Sequence, residues 1–404
     1  MANPKQPGTR IAVVTETYPP EINGVANTMR QLVGGLAERG HHVLLVRPRQ
    51  AADRGVRPPR GHFLVPGLPI PGYRGLRFGL PVYWRLRQLW LRRRPEVLYV
   101  ATQGPLGHAA LQAALQSSIP VITGFHTQFH QYSRHYGLGL LTQPIVNTLK
   151  SFHNRSDATL VPTTALRSQL RDAGFRNVHL FSRGVDTGLF DPVRRSHALR
   201  REWGCGADDV VALYVGRIAA EKNIGLALDT MDALTARIGN IRCVLVGDGP
   251  GRARLARSHP GYRFVGARTD EALATHYASG DLFLFPSLTE TFGNVVTEAM
   301  ASGLTVSAFD YAAAHEHIRH GTNGLLTPCG DETAFMDQAL TAAAAPAQLR
   351  AMGRAARQTA ESLSWPQVIA SVEERLLDVV RERRPAATET VLGRPGPTPS
   401  GNGV

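Results

Sequence analysis

Short apolar runs recur along the chain, most of them ending in a polar or glycine-containing loop and followed by an amphipathic stretch. The first, Arg10-Ile-Ala-Val-Val-Thr15, opens into the turn-rich segment Glu16–Gly24. A helical pattern then runs from Val25 to Arg39, closed by Gly40 as a C-cap. His42-Val-Leu-Leu-Val-Arg47 is a second buried strand, so the opening reads as a βαβ unit and predicts a parallel sheet. Further strands are expected at Phe63–Val65, Val97–Val100, Val121–Phe125, Ala158–Val161 and Val178–Phe181. Polar, proline-containing sequence between Asp186 and Arg201 suits a linker or an interdomain crossing. A new series follows, with strands Val210–Val215, Cys243–Val246, Arg263–Val265, Leu282–Phe285 and Thr305–Ala308 and a helix Asn223–Arg237. Amphipathic helices are expected over 346–361 and 364–384, and the Pro, Gly, Thr and Ser of 385–404 predict a disordered tail. The pattern as a whole predicts an α/β protein with two doubly wound, Rossmann-like domains, 1–190 and 191–363.

Length supports two domains, since 404 residues exceed one ordinary core. No apolar run is long enough to span a bilayer, and MANPKQPGTR lacks the apolar centre of a signal peptide, so a cytoplasmic protein is expected. Three dispersed cysteines, Cys205, Cys243 and Cys329, predict neither a disulfide framework nor a metal cluster. Charge changes the picture more. Residues 1–200 hold 26 Lys and Arg against 9 Asp and Glu, a net of +17, while the remainder nets −4. The first half therefore faces something acidic, whether nucleic acid, an anionic membrane or a phosphorylated substrate. Only three lysines stand beside 42 arginines, which draws attention to Lys222 as a place where a compact ammonium is needed.

In open α/β sheets ligands bind beyond the carboxyl ends of the strands, and four loops stand out there. Gly24 in Glu21-Ile-Asn-Gly-Val25 would admit a phosphate or sugar close to the backbone, or serve as an ordinary turn glycine. In Gly124-Phe-His-Thr-Gln-Phe-His130, His126 and Thr127 follow an apolar strand and are expected to point into the crevice; His126 and His130 alone make a poor metal site. Arg217 and Lys222 bracket a loop that follows Gly216 and precedes a helix, which is a diphosphate clamp or a surface ion pair with Glu221. Gly247 and its neighbours in Val246-Gly-Asp-Gly-Pro-Gly251 lack the full dinucleotide fingerprint, which counts against an NAD enzyme. The richest segment is Pro286–Gly303, PSLTETFGNVVTEAMASG. Glu290 lies before a helix start and Glu298 about two turns inside it, so an anion on the helix N-terminus would have a hydroxyl-binding carboxylate on each side.

Together these stretches, with INGV, GFHTQF, VGRIAAEKN, VGDGP and FVG, resemble the retaining glycosyltransferases of family 4 over residues 10 to 380. The resemblance implies the GT-B architecture: two Rossmann-like domains facing across a cleft, acceptor on the first and nucleotide sugar on the second, with helix 364–384 crossing back to the first domain. It implies that Arg217 and Lys222 neutralise the donor diphosphate, and that Glu290 contacts the donor sugar. Glu298 would bind ribose, His126 would lie near the transferred sugar, and Gly24 would permit close approach. Backbone N–H groups around Phe292, Gly293, Asn294 and Val295 would meet phosphate or sugar oxygens, with Gly216, Gly247 and Val265 completing the donor site. The implied chemistry is hexosyl transfer from GDP-mannose or a UDP-hexose to a lipid or glycan, with retention and without metal or cofactor.

One departure is the alanine run before Glu316, where many relatives carry glycines; it resembles a subgroup of mannosyltransferases and glycolipid synthases. The segment 69–81 resembles the acceptor side of that subgroup. The Trp, Leu and Arg of Tyr83–Arg94 suit either an anionic membrane face or a core-packed helix with a solvated basic side. Competing readings are a nucleic-acid-binding protein using the basic half, although no nucleic-acid-binding motif is present, and another two-Rossmann enzyme such as a nucleotide-sugar epimerase or a phosphorylase.

Overall fold

The computed structural model describes residues 8–21, 23–70, 77–126, 142–206 and 208–383. Thr127, His130, part of segment 69–81 and the tail 385–404 lie outside them. The first sheet is built from β1 (Arg10–Val14), β2 (His42–Pro48) and β3 (His62–Val65), followed by β6 (Val97–Val100), β7 (Val121–Gly124), β8 (Ala158–Val161) and β9 (Val178–Leu180). A separate antiparallel ribbon, β4 (Gly67–Pro69) with β5 (Arg77–Gly79), intervenes in the chain. The second sheet comprises β10 (Val210–Val215), β11 (Ile241–Val246), β12 (Arg263–Gly266), β13 (Leu282–Phe285), β14 (Thr305–Phe309) and β15 (Leu325–Thr327).

Both sheets are parallel throughout, in the orders β3-β2-β1-β6-β7-β8-β9 and β12-β11-β10-β13-β14-β15. The strand order reverses at β1/β6 in one and at β10/β13 in the other. Helices cover both faces, so β6, β8, β10 and β13 are buried at every position and read as unbroken apolar runs. Along β1 the two faces alternate. Ile11 and Val13 join one core cluster with Tyr99 and Leu36, while Ala12 and Val14 join the opposite one with Leu98, Trp90 and Leu106.

The interval Asp186–Arg201 is not a free linker. It holds a 3₁₀ turn, Pro192–Arg194, and a short helix, His197–Glu202, whose N-cap Ser196 accepts the N–H of Leu199 at 3.1 Å. Arg195 and Arg200 both pair with Asp281, at 2.7 and 2.9 Å, which welds the segment to the second sheet. Two further links cross between the sheets. Glu316 accepts the N–H and hydroxyl of Thr164 (2.7 and 2.6 Å), so a carboxylate of one domain caps a helix of the other. The helix Trp365–Arg383 then lies on the first sheet, contributing Trp365, Ile369, Val372, Leu376, Val379 and Val380 to its core. Its Glu373 pairs with Arg39 and with His41 Nε2 at 2.6 Å.

Trp365 is buried against Gly184, where a Cβ would come within 2.8 Å of the tryptophan backbone and ring. Replacing Trp365 by alanine leaves a cavity at this seam and is expected to cost about 3–5 kcal/mol. The measurement is urea unfolding, in which the midpoint of the variant falls well below that of the parent.

Candidate active site

A cleft of about 1140 Å³ runs between the carboxyl ends of the two sheets, at both strand-order reversals. Residues after β1 (Glu16, Thr17), β6 (Thr102) and β7 (His126) form one wall. Residues after β10 (Gly216, Arg217, Lys222) and β13 (Glu290 to Glu298) form the other.

The β13 loop owes its shape to Gly293, whose φ of +89° is a left-handed conformation that a side chain disfavours. It stands as the N-cap of the helix Asn294–Ala301, and no side chain caps that helix among the described residues. Its first N–H groups and the positive end of its dipole are therefore offered to the cleft. Because the helix begins at Asn294, Glu298 is only a little over one turn inside it, not two. The left-handed glycine delays the helix start beyond what the sequence suggests.

The loops after β10 and β13 are tied across the reversal. Lys222 Nζ meets Glu290 Oε1 at 2.5 Å and donates to the Thr289 carbonyl at 3.3 Å. Ser287 Oγ donates to the same carboxylate oxygen at 3.1 Å, and Thr289 Oγ1 donates to the Glu221 carbonyl at 2.8 Å. Tyr311 donates its hydroxyl to the Glu290 carbonyl at 2.9 Å. Arg217 pairs with Glu221 at 3.0 Å and its side chain is 57% exposed, so in this state the surface ion pair exists and the guanidinium still reaches the cleft. Each cation thus rests against a carboxylate.

Burial sets the remaining charges. Glu298 is half-buried at the cleft surface but packed round by protein, and desolvation lifts its carboxyl to about 7 although the Tyr277 hydroxyl donates to it at 3.1 Å. Glu16 is likewise raised to about 7 by burial, partly offset by backbone N–H groups including that of Leu106 at 3.0 Å. His126 is held neutral, its imidazole lowered to about 3 by burial and by the charge of Arg183. Its Nε2 lies 3.1 Å from the Tyr99 hydroxyl, while its Nδ1 has no partner among the described residues.

Of the residues singled out in the sequence, Gly24, His126, Gly216, Arg217, Lys222, Glu290, Phe292, Gly293, Asn294, Val295 and Glu298 share this cleft. Gly247 and Val265 are not on its wall. A Cβ on Gly247 would lie 1.9 Å from the Gly216 carbonyl, so that glycine serves backbone packing between neighbouring loops, and Val265 packs into the second domain's core. Glu16 and Arg183 line the cleft and went unmarked in the sequence. Glu16 sits one residue past the Thr15 that ends the first apolar run, a position the strand-end rule could have flagged. Arg183 had no such signal. Among the described residues no three His, Cys, Asp or Glu side chains form a metal-binding group.

Residues 22–189 match the Glycosyltransferase Family 4 model and residues 209–344 match the Glycosyl transferases group 1 model. A GDP-mannose-dependent alpha-mannosyltransferase of Mycobacterium tuberculosis (strain CDC 1551 / Oshkosh) is 34% identical over 89% of this chain and 94% of its own. An alpha-monoglucosyldiacylglycerol synthase of Acholeplasma laidlawii is 27% identical over 78% of this chain and 84% of its own. Among solved structures, sucrose-phosphate synthase from Thermosynechococcus elongatus superposes with a TM-score of 0.75 at 19% identity, covering 93% of this chain and all of that one. With two Rossmann-like domains in the GT-B arrangement and this degree of similarity, the chain belongs to glycosyltransferase family 4 and is a glycosyltransferase.

Proposed function

We propose that the protein transfers a hexose, mannose in the first instance, from a nucleotide diphosphate sugar to a lipid or glycan hydroxyl, with retention of configuration and without a metal or cofactor. The observation that carries this reading is the Lys222–Glu290 contact beside the uncapped start of Asn294–Ala301. An ammonium, a carboxylate and free N–H groups lie close together there, which supports a site for a diphosphate and its sugar. The donor diphosphate lies on that helix start, with Arg217 and Lys222 supplying the charge that a divalent ion would otherwise bring. Glu290 takes sugar hydroxyls and Glu298 takes the ribose. His126, neutral and oriented by Tyr99, faces the sugar from the other wall.

In the proposed step the bond from the anomeric carbon to the phosphate oxygen breaks and its electron pair stays on the diphosphate. The acceptor oxygen bonds to the same face of that carbon, and its proton passes to the departing phosphate. Charge grows on the diphosphate, so stabilising it is the main catalytic contribution. The mycobacterial relative is GDP-mannose-dependent, which favours that donor, and the Acholeplasma relative is a monoglucosyldiacylglycerol synthase, which favours a lipid acceptor.

The test is a nucleotide-release screen of GDP-mannose and UDP-glucose with crude lipid extract as acceptor. GDP release dependent on the extract is expected, with the α-anomeric product identified by NMR; an inverted product would exclude retention. Lys222→Ala and Glu290→Ala should each lower kcat by about 10²–10³-fold, with unchanged thermal unfolding. Full turnover in both would remove the site.

The pH dependence follows from Glu298. In the empty protein its carboxyl, lifted from 4.5 to about 7, is protonated below that value and has reduced capacity to accept ribose hydroxyls. Nucleotide affinity should therefore rise between about pH 6 and 8 and level off above. Calorimetry of Glu298→Gln should show this dependence abolished. The same shift makes the empty protein less stable as pH rises from 4.5 to about 7, because the unfolded chain releases a proton that the folded one retains.

The helix Tyr83–Arg93 buries Leu86, Leu89 and Trp90 in the first domain and leaves Trp84 68% and Leu91 64% exposed among its arginines. This outward face suits an anionic lipid surface holding the acceptor, at about 1 kcal/mol for each basic residue near it. Co-sedimentation with phosphatidylglycerol vesicles and not with phosphatidylcholine is expected, and it should weaken when Arg87, Arg92 and Arg93 become glutamine. Equal partition into both vesicles would overturn the membrane assignment.

A further inference from the structure

Arg183 enters the cleft wall just beyond β9, on the first domain, and is 5% exposed. Its guanidinium lies over the Phe292 ring, 5.7 Å from the centroid, and Nη1 donates to Asn294 Oδ1 at 3.3 Å. Nε and Nη2 have no acceptor among the described residues. The group nonetheless keeps its charge, since burial lowers its pKa only to about 10. A structural arginine at a domain seam normally spends its planar fork on carboxylates or carbonyls, because an unpaired buried charge is costly. This one holds a single side-chain amide and otherwise faces the cleft region shared by Gly24, His126 and Glu290. A Cβ on Gly24 would stand 3.1 Å from Nη1 and 3.5 Å from the Asn294 amide, so the glycine keeps this corner open.

The position of the guanidinium specifies what it can hold. Its one partner, Asn294, is the first residue of the uncapped helix. Glu298, the proposed ribose carboxylate, lies a turn further along, and Glu290, the proposed sugar carboxylate, lies before the helix start. The phosphate nearest Asn294 on such a path is the one bonded to the sugar. Arg217 and Lys222 line the same cleft from the second domain, while the other arginines that the first domain brings to it, Arg30 and Arg77, donate within that domain to Asn27 and to the Gly67 carbonyl. We propose that Arg183 grips the sugar-bonded phosphate of the donor with its unpartnered N–H groups, closing the anion site from the first domain and stabilising the charge left there when the sugar departs. This assignment rests on reading the cleft as a nucleotide-sugar donor site. A lysine cannot replace the fork, which presents parallel donors to a phosphate.

The experiment is calorimetric titration of the full chain, its Arg183→Gln variant and its Arg183→Lys variant with GDP, GMP, UDP and UMP. The parent should bind one diphosphate more tightly than its own monophosphate. In Arg183→Gln the diphosphate should weaken by about tenfold or more while the monophosphate, which lacks the gripped group, stays within about twofold. Arg183→Lys should lose part of the preference. An unchanged ratio of diphosphate to monophosphate affinity in Arg183→Gln, or equal loss for both nucleotides, would overturn the assignment and leave the donor site standing. If Arg183→Gln does not fold, the lysine variant decides, and an unchanged ratio there overturns it. A parent that binds none of the four nucleotides would overturn the donor site itself, and this role with it.

Discussion

A parallel sheet can put its ligand loops on one edge only, and that constraint organises this molecule. Every strand of both sheets ends its carboxyl side toward the same cleft, and in each sheet the order reverses between the first strand and its neighbour. The loops at those reversals cannot be covered by a crossover helix, so they remain open. Placing two such edges opposite one another creates the cleft without any residue being selected to make a hole. What selection then decides is which side chains stand on the four loops.

Those side chains share a pattern of charge. Burial drives Glu16, Glu298 and His126 toward their neutral forms, whereas Arg183, lowered only to about 10, keeps its charge. Desolvation therefore strips the wall of anionic groups more readily than of cationic ones. Glu290 and Glu221 stay paired with Lys222 and Arg217. In the proposed reading a diphosphate would meet cations already held in position, which is the preorganisation that electrostatic catalysis requires.

Much of the fold was legible because buried parallel strands announce themselves. Val97–Val100, Ala158–Val161, Val210–Val215 and Leu282–Phe285 are apolar without interruption and begin and end where the sequence pattern does. The three-residue strands of the ribbon and Leu325–Thr327 are too short to carry a period. Strand-end position drew attention to His126, Lys222 and Glu290, which the structure brings to one cleft. The same rule drew attention to Gly247, which packs on the Gly216 backbone and stands off the cleft wall, because a glycine demanded by a neighbouring backbone and one demanded by a ligand look alike in sequence. Arg183 escaped altogether: it is one arginine among 42, and only the packing of Phe292 and Asn294 from the other domain distinguishes it.

The helix Trp365–Arg383 has a consequence for how the polypeptide matures. It supplies six apolar side chains to a core whose other members lie within the first half of the chain, and the contact between Arg39 and Glu373 spans 334 positions. During synthesis the leading domain emerges with that face of its sheet uncovered. It must wait, with apolar surface exposed, until the second domain and then this helix have been made. The two domains therefore cannot be completed in strict succession, and a helix made after the second domain is the one that finishes the first.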